Sequence, residues 1–178
     1  MGVKDSKLLT PKRREELAEK IKAISKYAYQ IVTPKEIDET LRSANMNLNW
    51  LEAVRTAMII NELKPETAIL DCPSNNIKAY KEYLAVYISD KAMELKADHK
   101  AESKYEVVAA ASILAKVKRD EEVAGIKSAI GIDFGSGYPA DPKTQEFLKN
   151  HADKFPDILR HEWATIKKAK GVKKLTEY

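Results

Sequence analysis

Asp-His-Lys-Ala-Glu-Ser-Lys-Tyr-Glu-Val-Val-Ala-Ala-Ala-Ser-Ile-Leu-Ala-Lys-Val-Lys-Arg-Asp, residues 98 to 120, is the stretch on which the reading of the chain turns. It reads as the end of a strand feeding a helix. Ser103, followed three residues later by Glu106, has the form of a capping box. In that motif the hydroxyl takes the amide of the third helical residue, and the carboxylate reaches back to the amide of the cap. The helix is therefore expected to begin just after Ser103. Val107, Ala111 and Leu114, with Val108, Ser112 and Ala115, recur at helical spacing and give a narrow apolar face of mostly small side chains. Such a face lets a helix lie close to a sheet. Glu102 falls just ahead of the helix, near the positive end of its dipole, where an ionised carboxylate is favoured. A carboxylate held charged there can take a metal; the plainer reading is an acid beside an N-cap.

Working outward, Thr67 to Leu70 is a short apolar run bounded by Pro65-Glu66 and Asp71-Cys72-Pro73, which predicts a buried strand of a partly parallel sheet. Asp71 then stands at the strand's carboxyl end. Ligands of open α/β sheets bind beyond those ends, so Asp71 is a candidate site residue. The alternative is a turn-former ahead of a helix capped by Ser74. A helix from Asn75 to about Ile88, with Ile77, Tyr80 and Leu84 spaced for burial, and a strand near Ala92 to Asp98 complete this part.

Toward the N-terminus, Thr10-Pro11 opens a helix with Leu17, Ile21 and Ile24 on its buried face. Tyr27 to Val32 reads as a strand, and Thr33-Pro34-Lys35-Glu36 as a capping box. Asn47 is placed to cap a longer helix that buries Leu51, Val54 and Met58 and is stopped by Pro65. Toward the C-terminus, Gly131, Gly135, Gly137 and Pro139 make a loop before helical stretches around Pro142 to Lys149 and Asp157 to Lys168. Strands alternating with helices give an α/β class. The expected division is a domain over residues 1–130 and a small helical extension over 131–178.

With 178 residues the chain suffices for one full core. No apolar run approaches membrane-spanning length and no charged-then-apolar leader opens the chain, so a soluble cytoplasmic protein without a membrane partner is expected. Cys72 is the single cysteine, which excludes an internal disulfide. The 31 basic and 27 acidic residues leave a net charge of only +4, far from a histone-like protein. The basic residues nevertheless gather, at Lys4 to Arg14, at Lys116 to Arg119 and at Lys167 to Lys174. Such clusters suit a phosphate backbone, though each is also an ordinary solvated face. No glycine-rich phosphate loop and no cysteine-histidine spacing is present, so nucleotide-loop and zinc readings find no support. A site of acids from neighbouring strand ends suits a hard divalent cation.

Ala110 to Asp120, preceded by His-Lys-Ala and an acid, resembles the central signature of ribonuclease HII, the type 2 ribonuclease H, in its archaeal form. Asp5-Ser-Lys-Leu-Leu-Thr10 and Gly135-Ser-Gly-Tyr-Pro-Ala-Asp-Pro-Lys-Thr144 match the same family in the same order. The resemblance implies a ribonuclease-H-like mixed sheet flanked by helices. It further implies endonucleolytic hydrolysis of the RNA strand of RNA–DNA hybrids, and cleavage at ribonucleotides embedded in DNA, by two ions of Mg²⁺ or Mn²⁺. It makes Asp71 and Glu102 catalytic metal ligands. Lys7 would contact substrate phosphate, and Tyr138 would pack on the sugar at a ribonucleotide–deoxynucleotide junction; without the family, Tyr138 is as easily a loop aromatic covering the core. Lys100, Ser112 and Lys116 would lie near the site. His99 reads as structural rather than as a general base, and Asp120 as an ion-pair partner.

Two departures follow from the same comparison. The family ligand in the central motif is normally Asp, and here it is Glu102. The opening Asp-Glu-Ala-Gly-Arg-Gly strand of the family has no counterpart, so the expectation is a domain incomplete at its N-terminus, a monomer when complete and prone to pair through an exposed sheet edge when not. The competing readings are a non-catalytic module that binds hybrid duplex, an inactive fragment, or an unrelated nuclease using Asp71, Glu102 and Asp98.

Overall fold

The computed structural model describes residues 9–162. These fall into two compact units, one of residues 9–31 and 48–119, the other of residues 32–47 and 120–162. In the first unit, Thr10 accepts a hydrogen bond from the Arg13 amide and starts α1, Pro11–Ile24, with Pro at the first helical position. Helix α3, Leu48–Leu63, ends where Lys64 turns left-handed ahead of Pro65. Strand β1, Thr67–Asp71, leads through α4, Ile77–Tyr87, to β2, Glu94–Asp98. The two strands form a parallel sheet in which Asp71 is in register with Asp98. A parallel pair joined by a helix is the βαβ unit expected for the α/β class.

After β2 the chain turns through Lys100, left-handed at φ 55°, into the one-turn helix α5, Ala101–Lys104. Tyr105 is extended, and the long helix α6, Glu106–Ile130, follows. The capping box read at Ser103 is therefore not formed. Ser103 lies inside α5, and its hydroxyl donates to the Lys100 carbonyl rather than accepting from Glu106. The buried stripe of α6 is Val108, Ala109, Ile113, Leu114 and Val117. The expected face is thus turned by about one residue, leaving Val107 outward. That stripe packs on Leu17, Ala18 and Ile21 of α1 in one core cluster. A second cluster sets Ala53, Ala57 and Ile60 of α3 against Ala68 and Cys72 and against Tyr80 and Leu84 of α4. Burial of a side chain the size of Leu84 contributes about 1.5–3 kcal/mol.

Several local expectations are corrected. Ile24 and Met58 are exposed, because the alanines of α3 and the first three turns of α1 make the contacts. Asn76, not Ser74, caps α4 by accepting from the Ala79 amide. Tyr27 to Val32 forms no ladder, since the sheet among the described residues has only β1 and β2.

In the second unit, Thr33 and Glu36 form the expected capping box at the start of α2, Pro34–Arg42. Asp141 caps α7, Pro142–His151. Phe147 and Leu148 of α7 pack with Phe134, Ala152 and Leu159. Buried Asp38 accepts the amides of His161 and Glu162 at 2.8 and 3.0 Å. A 3₁₀ turn, Pro156–Ile158, takes the place of the start of the last expected helix, residues 159–162 are not helical, and residues 163–168 lie outside the described residues. Among the described residues no helix is long and apolar enough to cross a membrane.

Candidate active site

Parallel pairing brings the carboxyl ends of β1 and β2 together, and Asp71 and Asp98 are the last residues of those strands. Identical register puts their side chains on one face of the pleat, yet their partners differ. Asp71 accepts a hydrogen bond from the Ala101 amide at 3.2 Å, at the start of α5. Asp98 accepts from Lys104 at 2.6 Å, and that bond holds its carboxyl below the ordinary range. The acid that the unrelated-nuclease reading enlists is thus engaged by a cation.

Glu102 follows Ala101 directly, so the left-handed turn at Lys100 is what brings Glu102 to the Asp71 end of the sheet. Glu102 lies in the first turn of α5 rather than ahead of a long helix. Its carboxylate is 3.6 Å from the Lys116 ammonium on α6, and the two side chains are 16% and 29% exposed. A sheltered acid thus stands beside a cation. The break at Tyr105 lets α5 and α6 present Glu102 and Lys116 to each other. Ser112 lies one helical turn before Lys116 and is half-buried. Lys100 is exposed, and its carbonyl closes α5 by accepting from the Ser103 amide. His99 is tied through Nδ1 to the Cys72 carbonyl at 3.3 Å, a structural contact.

Tyr138 belongs to the second unit and is 54% exposed. It rides on a loop in which Gly135 and Gly137 have positive φ and Asp141 accepts the Ser136 amide at 2.6 Å. Lys143 and then Lys127 hold the Asp133 carboxyl far below its usual range and tie the loop base. Lys7 lies outside the described residues.

One further acid, exposed on α3, feels the charge at this strand end. Glu52 on α3 is pushed up first by burial and then by the Asp71 carboxylate. Its only signal in the sequence is an isolated acid between apolar residues in Trp50-Leu-Glu-Ala53.

Asp71 and Glu102 offer oxygen atoms only, the donor chemistry a hard divalent cation takes, and Mg²⁺ commonly uses one or two carboxylates together with substrate phosphate. Among the described residues no three His, Cys, Asp or Glu side chains form a ready-made metal cluster. The pair therefore fits a cation whose remaining ligands are water and substrate.

The chain as a whole is similar to known proteins. The family model described as Ribonuclease HII matches residues 1–166. A Ribonuclease HII of Methanosarcina barkeri is 41% identical over 177 residues, covering 93% of this chain and 78% of the relative. Among solved structures, the ribonuclease H2 of Pyrococcus horikoshii superposes with a TM-score of 0.81 at 40% identity, covering 96% of this chain and 81% of the other. The RNase HII in a PCNA complex from Archaeoglobus fulgidus gives 0.83 at 40% identity, covering 99% and 84%. Matched over most of its sequence by that model and by these relatives, the chain belongs to the ribonuclease HII family.

Proposed function

We propose that this chain, a ribonuclease H of the metal-dependent endoribonuclease class, hydrolyses the RNA strand of RNA–DNA hybrids and also cuts at ribonucleotides embedded in DNA. The observation that carries the site is the Ala101 amide on the Asp71 carboxylate, which sets Glu102 beside the strand end. Asp71 and Glu102 would hold Mg²⁺ or Mn²⁺, two ions when substrate phosphate completes the ligand set. A divalent cation there supplies Lewis acidity, lowering the pKa of water and neutralising charge on the phosphate in an in-line displacement.

The chain's own groups do the rest. Lys116 balances Glu102, and with Lys100 and Lys7 it offers positive charge to the scissile strand. Ser112 supports the same face of α6. Tyr138, exposed on a loop braced by Asp133 and Asp141, supplies an aromatic surface for the sugar bearing the 2′-hydroxyl, the group that distinguishes RNA from DNA. Cleavage leaves a 5′-phosphate and a 3′-hydroxyl.

A second reading has its own observation. With no cluster of three acids among the described residues, the chain would serve as a hybrid-binding module without cleavage. Incubating a duplex carrying one ribonucleotide with wild type and Asp71→Asn, each with Mg²⁺ and with Mn²⁺, decides between them. Cleavage at the ribonucleotide that falls roughly a hundredfold or more in Asp71→Asn is the expected result. Binding without cleavage by folded wild type would leave the module.

A further inference from the structure

Thr144 is the third residue of α7 and is only 7% exposed. Its hydroxyl donates to the Phe134 carbonyl at 2.9 Å and accepts the Gly137 amide at 3.0 Å. A threonine hydroxyl has one proton to give and lone pairs to accept with, so both bonds are made at once. They tie the two ends of residues 134–137 to a single side chain. Phe134 is itself fixed, its ring 5.3 Å from that of Phe147 in the core of the second unit. Gly137 is left-handed at φ 75° and immediately precedes Tyr138, whose ring is exposed.

Helix α7 does not need this hydroxyl for itself. Asp141 caps it by accepting the Lys143 amide at 2.9 Å, and Phe147 and Leu148 supply its apolar contacts. Both bonds of Thr144 go instead to the loop that carries Tyr138. The same helix end holds the loop on its other side, where the Asp141 amide donates to the Tyr138 carbonyl at 3.0 Å and Gln145 donates to the Pro139 carbonyl at 2.8 Å. Of these ties the Thr144–Phe134 bond is the buried one, and losing it would leave a backbone carbonyl unpaired away from water. Thr144 thus passes the position of the core to the backbone just ahead of the Tyr138 ring.

We propose that Thr144 is a positioning residue for ribonucleotide recognition, holding the Gly137 backbone so that the Tyr138 ring meets the sugar at a ribonucleotide–deoxynucleotide junction. The inference rests on the reading of Tyr138 given above. Misplacing a positioning group by about 1 Å can cost on the order of a hundredfold in rate, so a small shift of the loop is enough to register. Valine keeps nearly the shape of threonine but not its hydroxyl, whereas serine keeps the hydroxyl.

The test is kcat and KM of the full chain on two substrates, a DNA duplex carrying one ribonucleotide and a hybrid with an all-RNA strand. Wild type is compared with Thr144→Val, Thr144→Ser, Tyr138→Ala and the double variant Thr144→Val with Tyr138→Ala, with a thermal melt of each. The readout is the ratio of kcat/KM between the single-ribonucleotide duplex and the hybrid. Thr144→Val is expected to lower that ratio on the order of tenfold, and Thr144→Ser to keep most of it. In the double variant the ratio is expected to fall no further than in Tyr138→Ala, because both changes act through one ring. A ratio lowered in Tyr138→Ala but unchanged in Thr144→Val overturns the role of Thr144 alone. So does a fall that Thr144→Ser shares, one that adds fully to Tyr138→Ala, or a Thr144→Val chain that fails to fold, each of which makes the residue structural. A ratio unchanged in Tyr138→Ala, or wild type that cuts neither substrate, overturns the reading on which this role rests, and the role with it.

Discussion

At the residue scale, the chemistry of the proposed site depends on pairs whose members are far apart in sequence. Asp71 meets the Ala101 amide, and Glu102 meets Lys116 across the break between α5 and α6. Lys116 would therefore have two separable duties under the proposed function, pairing with Glu102 and meeting a substrate phosphate. Lys116→Ala is expected to weaken hybrid binding and to reduce the slope of log affinity against log salt by about one, the loss of a single phosphate contact. Filter binding of an uncleaved hybrid across a salt series, with chelator present, measures it. An unchanged slope would confine Lys116 to balancing Glu102. The Tyr138 ring offers no such separation, because its duty is packing rather than charge.

At the element scale, the positions of loops and helix ends decide what the site residues can reach. Residues 133–141 make a loop whose shape is fixed by backbone amides on Asp133, on Asp141 and on Thr144 of α7. Gly135 has φ +76°, and a Cβ added there would stand 2.6 Å from Asp141 Oδ2 and 2.8 Å from Lys143 Cβ. Gly135→Ala must therefore either strain the backbone or displace the α7 cap. A loss of more than about 1 kcal/mol is expected in urea denaturation, with weaker discrimination between ribonucleotide-containing and plain DNA because Tyr138 shifts with the loop. The short α5 shows the same logic in reverse. Ser103 and Glu106 carry the letters of a capping box, but Tyr105 takes an extended conformation, and the Ser103 hydroxyl finds the nearer Lys100 carbonyl.

At the scale of the whole molecule, the carboxylates held below their ordinary range make stability depend on pH. Asp98 is lowered chiefly by Lys104, Asp133 by Lys143, and Asp141 by the Ser136 amide. A carboxyl with a depressed folded value binds its proton less readily in the folded chain than in the unfolded one. Its contribution is complete above the ordinary carboxylate range and is lost as pH falls through the folded values. The melting temperature is therefore expected to drop on acidification from about pH 7 to about pH 3, and Asp133→Asn should flatten that dependence. Because these groups are solvent-exposed, the effect of each is modest. Melts recorded across the range in wild type and variant give the comparison directly.

The sequence by itself determined the family, the α/β class, the caps at Thr10 and Thr33 and the parallel β1–α4–β2 unit. Each of these is written in short-range patterns: a cap beside a proline, an apolar run between turn residues, a motif of contiguous letters. It also singled out Asp71, since a strand end is visible from its flanking residues. Only the tertiary structure decided which face of α6 and α3 is buried, that Glu102 stands inside a one-turn helix, and that Lys116 is its neighbour. Small residues line several faces of those helices, so periodicity leaves the rotation open until packing against α1, β1 and α4 selects one. Glu102 shows the limit most clearly, because its setting comes from the cation beside it, and the break between α5 and α6 brings that cation from fourteen residues away.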